Sequence, residues 1–273
     1  MNGRLRYYSL IFVISLLSIL ISNCGRSLSP FFDYEEELNN YPSIIYSLSD
    51  EELQQLQREF ESLNDNIICT RLNKFGLTGD DYYYKHIPEM KISDENMAIN
   101  YAINGLVRNK KFTNITDSNE LVKSGFQIRN VNDDSTCWSI RFGPQKYRGY
   151  EVFRSKIKVG LCGYGIYYID GFWYKDICVP PIDIISKEEA RNKVIGRKII
   201  WLGYGGEPHE FIVTENSVDV NIEKIIYPFE KEDTIELRVA WKIPIIFGSF
   251  IGWHIYIDTT TGEEIAIIQL FRT

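Results

Sequence analysis

The sequence is short of the residues on which most enzymes and metal sites are built. Its 273 residues include three histidines, five cysteines and three methionines. His86, His209 and His254 are too scattered to form a local metal-binding helix. "PHEF" at Pro208 starts like the zinc motif H-E-x-x-H, but Val213 occupies the place of the second histidine. No G-x-S-x-G elbow presents a nucleophilic serine. "GYGG" from Gly203 to Gly206 lacks the Lys-Ser or Lys-Thr of a phosphate loop and reads as a turn. No two cysteines stand at C-x-x-C spacing, so neither a thiolate metal site nor a cofactor is expected. Positive charge is scarce too. Thirty Lys and Arg against 37 Asp and Glu leave a net charge of -7, without the basic footprint of a nucleic-acid binder. Asp133 and Asp134 read as a solvated loop, and only a hydrolase built on distant carboxylates would escape a motif search. No catalytic residue is assigned, and the expectation is a protein that is not an enzyme.

What is present begins with a sorting signal. Arg4 and Arg6 precede an apolar run from Leu10 to Ser22 that is too short to span a bilayer comfortably. Ile21, Ser22 and Asn23 before Cys24 resemble a bacterial lipobox, which implies a signal peptide over 1–23 and a lipid-modified Cys24 at the mature N-terminus. Residues 24–48, polar and carrying Pro30 and Pro42, read as a tether. The expected location is the cell envelope, on its periplasmic or outer-surface face, anchored to the membrane by lipid. In that oxidising setting Cys69, Cys137, Cys162 and Cys178 are weighed as disulfides. Four cysteines allow three pairings. Cys162 and Cys178 flank an expected hairpin with its turn at Asp170 and Gly171 and can face each other, leaving Cys69 with Cys137; the connectivity itself stays open.

The body alternates helical and strand periods. "SDEELQQLQREFESL" carries a capping box at Ser49 and Glu52 and an apolar stripe of Leu53, Leu56, Phe60 and Leu63. A second helix is expected after Ser93 as N-cap, with Met97, Tyr101 and Leu106 near one face and Gly105 and Asn109 at its weakening end. "CWSIRF", "YEVFRSKIKVGL" and "YGIYYIDGFWYKDICV" then read as antiparallel strands, stopped by Pro180 and Pro181. A third helix opens on the box Ser186 and Glu189, with Ala190, Val194 and Ile195 along one side. Three strands follow: "VDVNIEKIIY", "IELRVAWKIPI" and "WHIYID" with its return "EEIAI". In the second, Leu237, Val239, Trp241 and Ile243 share one face and Arg238 and Lys242 the other. Asp258 and Gly262 bracket the last turn. The fold class is α+β, with helix-then-sheet occurring twice, over 49–180 and 181–273.

The order "ISKEEARNKV … ELRVAWKIPI … WHIYIDTTTGEEIAI" resembles a PepSY domain, the small module of thermolysin-type protease propeptides and some free-standing envelope proteins. "QKYRGYEVF" upstream, through Gln145, Tyr147, Gly149, Val152 and Phe153, is similar to the core motif of fungalysin and thermolysin propeptides. Arg154 and Ser155 replace the glycine-rich pair usual after it. The resemblance spans roughly residues 92–268. It implies two tandem cystatin-like subdomains and a pro-region that assists and inhibits a protease, here with the sequence ending at Thr273 close behind the last strand. Without a peptidase domain in cis, inhibition in trans is the expectation.

The aromatic run Tyr167 to Tyr174 is the first binding surface to consider, because Tyr and Trp are enriched in hot spots. Tyr167, Phe172 and Trp173, with Trp241 and Tyr256 of the last sheet, are the expected contact residues; burial against the neighbouring subdomain is the alternative for the aromatic run. An exposed sheet edge capturing an extended peptide is a further mode. The expected function is therefore a non-catalytic, lipid-anchored envelope protein that binds a protein or peptide, foremost a secreted peptidase. The alternative is a structural or adhesive surface lipoprotein on the same scaffold.

Overall fold

Both Ser-x-x-Glu boxes start helices. Helix α1, Asp50–Leu63, has Ser49 as N-cap, whose hydroxyl accepts the Glu52 N–H while the Glu52 carboxylate accepts the Ser49 N–H. Such a cap contributes about 1 kcal/mol. In the computed structural model, residues 40–82, 92, 94–132, 135–162, 165–203 and 205–271 are described. The leader and Cys24 lie outside them. The chain divides into two units, Met1–Asn40 and Tyr41–Thr273, and the fold is that of the second. It is α+β.

Helix α2, Glu95–Arg108, is capped by Asp94, which accepts the Met97 N–H at 2.9 Å; the expected cap, Ser93, lies outside the described residues. Its buried face is Ala98, Ala102, Gly105 and Leu106, while Met97 and Tyr101 point outward, against expectation. Gly105 is the cause. A Cβ there would come within 1.8 Å of Ile166 Cδ1, so the helix seats Ala98, Ala102 and Gly105 against the sheet and leaves Met97 and Tyr101 outside. A short helix α3, Lys110–Thr113, follows. Helix α4, Lys187–Val194, repeats the capping box at Ser186 and Glu189 and buries Ala190 and Val194.

Two larger sheets organise the unit. Strands β4 (Lys123–Asn132), β5 (Ser135–Phe142), β8 (Ile157–Cys162) and β9 (Gly165–Gly171) form an antiparallel meander that buries Trp138, Ile140, Phe142, Val159 and Ile169 against α1 and α2. The second sheet runs β15 (Glu264–Gln269), β14 (Phe250–Asp258), β13 (Thr234–Phe247), β12 (Glu223–Glu230), β7 (Tyr150–Val152) and β6 (Lys146–Tyr147). A seventh strand, β1 (Ser43–Tyr46), takes the same edge of β13 as β14, pairing with Thr234 to Leu237 before β14 takes over at Ala240. The expected alternation in β13 holds: Leu237, Val239 and Ile243 are fully buried, and Arg238 and Lys242 face the other way. Hairpins β2 (Thr70–Leu72) with β3 (Thr78–Tyr82), and β10 (Lys198–Leu202) with β11 (Pro208–Ile212), complete the fold.

The propeptide-like motif joins the two sheets. Tyr147, Arg148, Gly149 and Tyr150 make a two-residue hairpin turn with φ of 50° at Arg148 and 86° at Gly149, a geometry for which glycine is suited. Val152 then pairs in parallel with Ile226 of β12. At Arg154, φ 57°, the chain turns out of this sheet and enters β8 of the other. "YEVFRSKIKVGL" is thus two strands in two sheets rather than one. Strands β1, β6 and β7, which precede residue 180, are built into the sheet of the C-terminal half.

The expected hairpin turn at Asp170 and Gly171 does not form. The β8–β9 pairing runs to Cys162 opposite Gly165, and Asp170 is a strand residue opposite Lys158, 2.7 Å from its Nζ. The disulfide pairing changes with it. Trp138 stands opposite Leu161, so Cys137 and Cys162 are the next partners along β5 and β8, with Cα atoms 4.5 Å apart, and they form the disulfide. The expected pairs Cys162 with Cys178 and Cys69 with Cys137 are replaced by this one. Cys69 is buried, its thiol 3.6 Å from the Ile67 carbonyl, and Cys178 is half-buried.

Candidate functional site

The aromatics nominated from the sequence are not gathered on one surface. Trp173 is buried in the core under α1 and α2, with Nε1 donating to Glu120 at 3.2 Å. Trp241 is buried beneath α4, donating to the Ile185 carbonyl at 2.8 Å. Phe172 packs where the two sheets meet. Tyr256, fully buried, lies on the opposite sheet face with Phe153 and Tyr227. Tyr167 is half-buried and edge-on to Tyr168 at 4.6 Å. The physical reason is that both faces of the strands are covered, so alternation sends aromatics into different cores instead of into solvent.

The feature left open is backbone. Strand β15 ends the seven-stranded sheet with β14 as its partner on one side. Leu270 donates to the Gly252 carbonyl at 2.9 Å, and Ile268 and Ala266 stand opposite His254 and Tyr256 in the same register. Antiparallel alternation therefore aims the N–H and C=O of Ile267 and Gln269 away from β14. Native edges are usually guarded by lysine, proline or covering segments. Here the central stretch is Ile265-Ala266-Ile267-Ile268, with a bulge near Glu264 as the guard.

Beside that edge lies a groove of about 380 Å³, lined by Arg197, Lys198, Ile199, Ile200, Trp253, Ile267 and Gln269. It separates β15 from the β10–β11 hairpin, an element with no counterpart in the sequence reading. The hairpin's inner face, Ile199, Trp201 and Phe211, packs on Trp253, Phe247 and Phe271; Trp201 and Trp253 are 5.2 Å apart, and Phe247 and Phe271 stack at 5.6 Å. Its outer face leaves Ile200, Leu202 and Ile212 more than half exposed. A signal was available: "KIIWL" and "PHEFI" flank a glycine-rich turn. The same pairing places His209 on a strand, stacked on Trp201 at 5.2 Å, where a zinc-binding helix cannot form.

The groove's charges are internally matched. Arg197 grips Glu264 with two bonds, at 3.0 and 3.1 Å, and the carboxylate raises the Arg197 pKa. Lys198 Nζ is 2.5 Å from Glu210. The space beside Ile267 therefore suits uncharged, apolar side chains. On the other face of β14, burial and then the nearby Lys242 lower the pKa of His254. Among the described residues no group of three or more His, Cys, Asp or Glu is placed to hold a metal ion, and no helix is long and apolar enough to cross a membrane.

Fold and edge together define an α+β scaffold whose seven-stranded sheet ends on an apolar strand. No protein-family model matches the sequence, and no curated protein matches it either. Among solved structures, the chain is similar to the Bacillus megaterium YpeB C-terminal domain, over 83% of this chain and 100% of that one, at 15% identity and a TM-score of 0.30.

Proposed function

We propose that the chain is a non-catalytic binding module of the cell envelope, held to the membrane by lipid at Cys24, that takes an extended segment of a partner protein against β15. The partner in this reading is a secreted peptidase, which the module restrains. The observation that carries the binding mode is the β15 edge, free of lysine and proline, beside a charge-matched apolar groove. The peptidase assignment rests on the propeptide-like motifs, Gln145 to Phe153 and Ser186 to Glu263. Ser43, near the start of the unit, pairs with Leu237, whereas the groove residue Trp253 pairs with Ile245, eight residues and about 26 Å further along β13. A structural or adhesive role is the second reading, favoured by the exposed outer face of the β10–β11 hairpin.

The test is site-specific photo-cross-linking of the full chain in its native envelope, with the probe at Gln269 and, as control, at Val220, which is 82% exposed. A peptidase cross-linked from Gln269 alone, whose activity falls as the chain is added, supports the reading. Equal cross-linking from both positions, or unchanged peptidase activity, removes it and leaves the structural role.

A further inference from the structure

The strand that best fits the open edge is β15 itself. The groove asks for an uncharged aliphatic strand, and Ile265-Ala266-Ile267-Ile268 is one. We infer that a second copy of the chain pairs with this edge through a two-fold axis at Ile267, masking the site when no other partner is bound.

The register follows from the backbone. The outward N–H and C=O of Ile267 can meet those of the partner's Ile267 in a hydrogen-bonded pair, because both copies aim the same residue away from β14. That register sets Ala266 opposite Ile268 of the other copy, small against large, twice over. Ala266 and Ile268 already share one sheet face, so the match repeats on both sides of the axis. The bulge at Ile265 ends the regular pairing on one side, and no like charges meet within the paired stretch. The alternative occupant, an unrelated peptide, needs the same chemistry but lacks this built-in complement. A single six-residue strand pair covers far less than the ~1,200–2,000 Å² of a stable interface, so the dimer is weak and displaceable. Both copies carry a net charge of -7, so added salt strengthens it. The inference goes beyond the peptidase reading and is tested without any peptidase.

The experiment uses oxidative cross-linking of the full chain in detergent solution, in a Cys178→Ser background. A hydrogen-bonded antiparallel pair holds its Cα atoms about 5.5 Å apart, within disulfide reach. Ile267→Cys is therefore expected to give a covalent dimer. Ile265→Cys alone is not, because its copies sit four residues out of register, but a mixture of Ala266→Cys and Ile268→Cys is, since those two stand opposite each other on one sheet face. Ile267→Pro, whose lost N–H faces away from β14, is expected to fold and to abolish the concentration-dependent rise in mass seen by sedimentation. A chain that stays monomeric at the highest soluble concentration, or equal cross-linking from Ile265→Cys and Ile267→Cys, overturns the inference. Loss of the dimer with peptidase cross-linking intact would leave the proposed function standing.

Discussion

Replacing Gln145 by leucine tests whether the propeptide-like motif is a structural clamp. The Gln145 side chain is almost wholly buried and bonds to both backbone groups of Tyr174: Nε2 donates to its carbonyl at 2.6 Å and Oε1 accepts its N–H at 3.0 Å. The amide thus acts as a strand partner for the segment leaving β9. Its own N–H meets the carbonyl and hydroxyl of Ser155, and its carbonyl accepts the Val152 N–H. Leucine keeps the volume and deletes both side-chain bonds. At about 1–2 kcal/mol for each buried bond whose partner is left behind, the loss is about 2–4 kcal/mol. For a folded body of this size that is a fall in Tm of about 4–15 °C. Urea and thermal denaturation of the two proteins give the number directly. A loss below about 0.5 kcal/mol would refute the clamp and return Gln145 to an ordinary buried polar residue.

Three further outcomes follow from the same reasoning. The hydroxyl of Tyr256 is buried with no hydrogen-bond partner among the described residues, so Tyr256→Phe is expected to raise stability by about 1 kcal/mol in urea denaturation; a loss of similar size would mean that the hydroxyl is satisfied. Replacing Cys137 and Cys162 together with alanine, which opens a loop of 25-residue separation, is expected to cost about 3 kcal/mol, and reductant should cost the wild type the same; no change in either would place the bond elsewhere. His254 has a folded pKa below its unfolded value of about 6.5, so the unfolded chain binds more protons and stability falls as pH drops from about 6.5 to the folded value. Lys242, Glu223 and Tyr256 are the titratable neighbours on that face. His254→Gln should flatten this slope in urea midpoints measured between pH 7.5 and 5.5, and an unchanged slope would assign it to another group.

Local chemistry was legible in the sequence, and long-range pairing was not. The boxes at Ser49 and Ser186 close within four residues, and the turn from Asp258 to Gly262 does the same: Asp258 accepts N–H bonds from Thr260 and Thr261, and Gly262 takes φ 70°. The alternation in β13 is local too, with Leu237, Val239, Trp241 and Ile243 sharing one face and Arg238 and Lys242 the other. By contrast, nothing near Phe153 reveals that the chain leaves one sheet there, because the cause is the pairing of Val152 with Ile226, 74 residues on. The disulfide depended on the register of β5 on β8, which a turn expected at Asp170 and Gly171 could not give. The outward rotation of α2 came from Ile166 filling the space at Gly105, a contact that helical periodicity does not contain.

The same distinction explains why the candidate site escaped residue-by-residue reading. Tyrosine and tryptophan mark interfaces because they bury large area at small entropic cost, but a small α+β body needs those rings for its own cores. Trp173, Trp241 and Tyr256 are spent there, each in a different cluster. What the seven-stranded sheet has left to offer, among the described residues, is the hydrogen-bonding capacity of its free edges, β6 of two residues, β1 of four and β15 of six. Of these three, β15 is the longest and the best able to hold a partner strand in a defined register. Recognition through peptide groups leaves no residue signature, since every residue but proline carries the same donor and acceptor. The side chains betray the site only by omission, in the absence of lysine and proline from a strand that a solitary protein would be expected to guard.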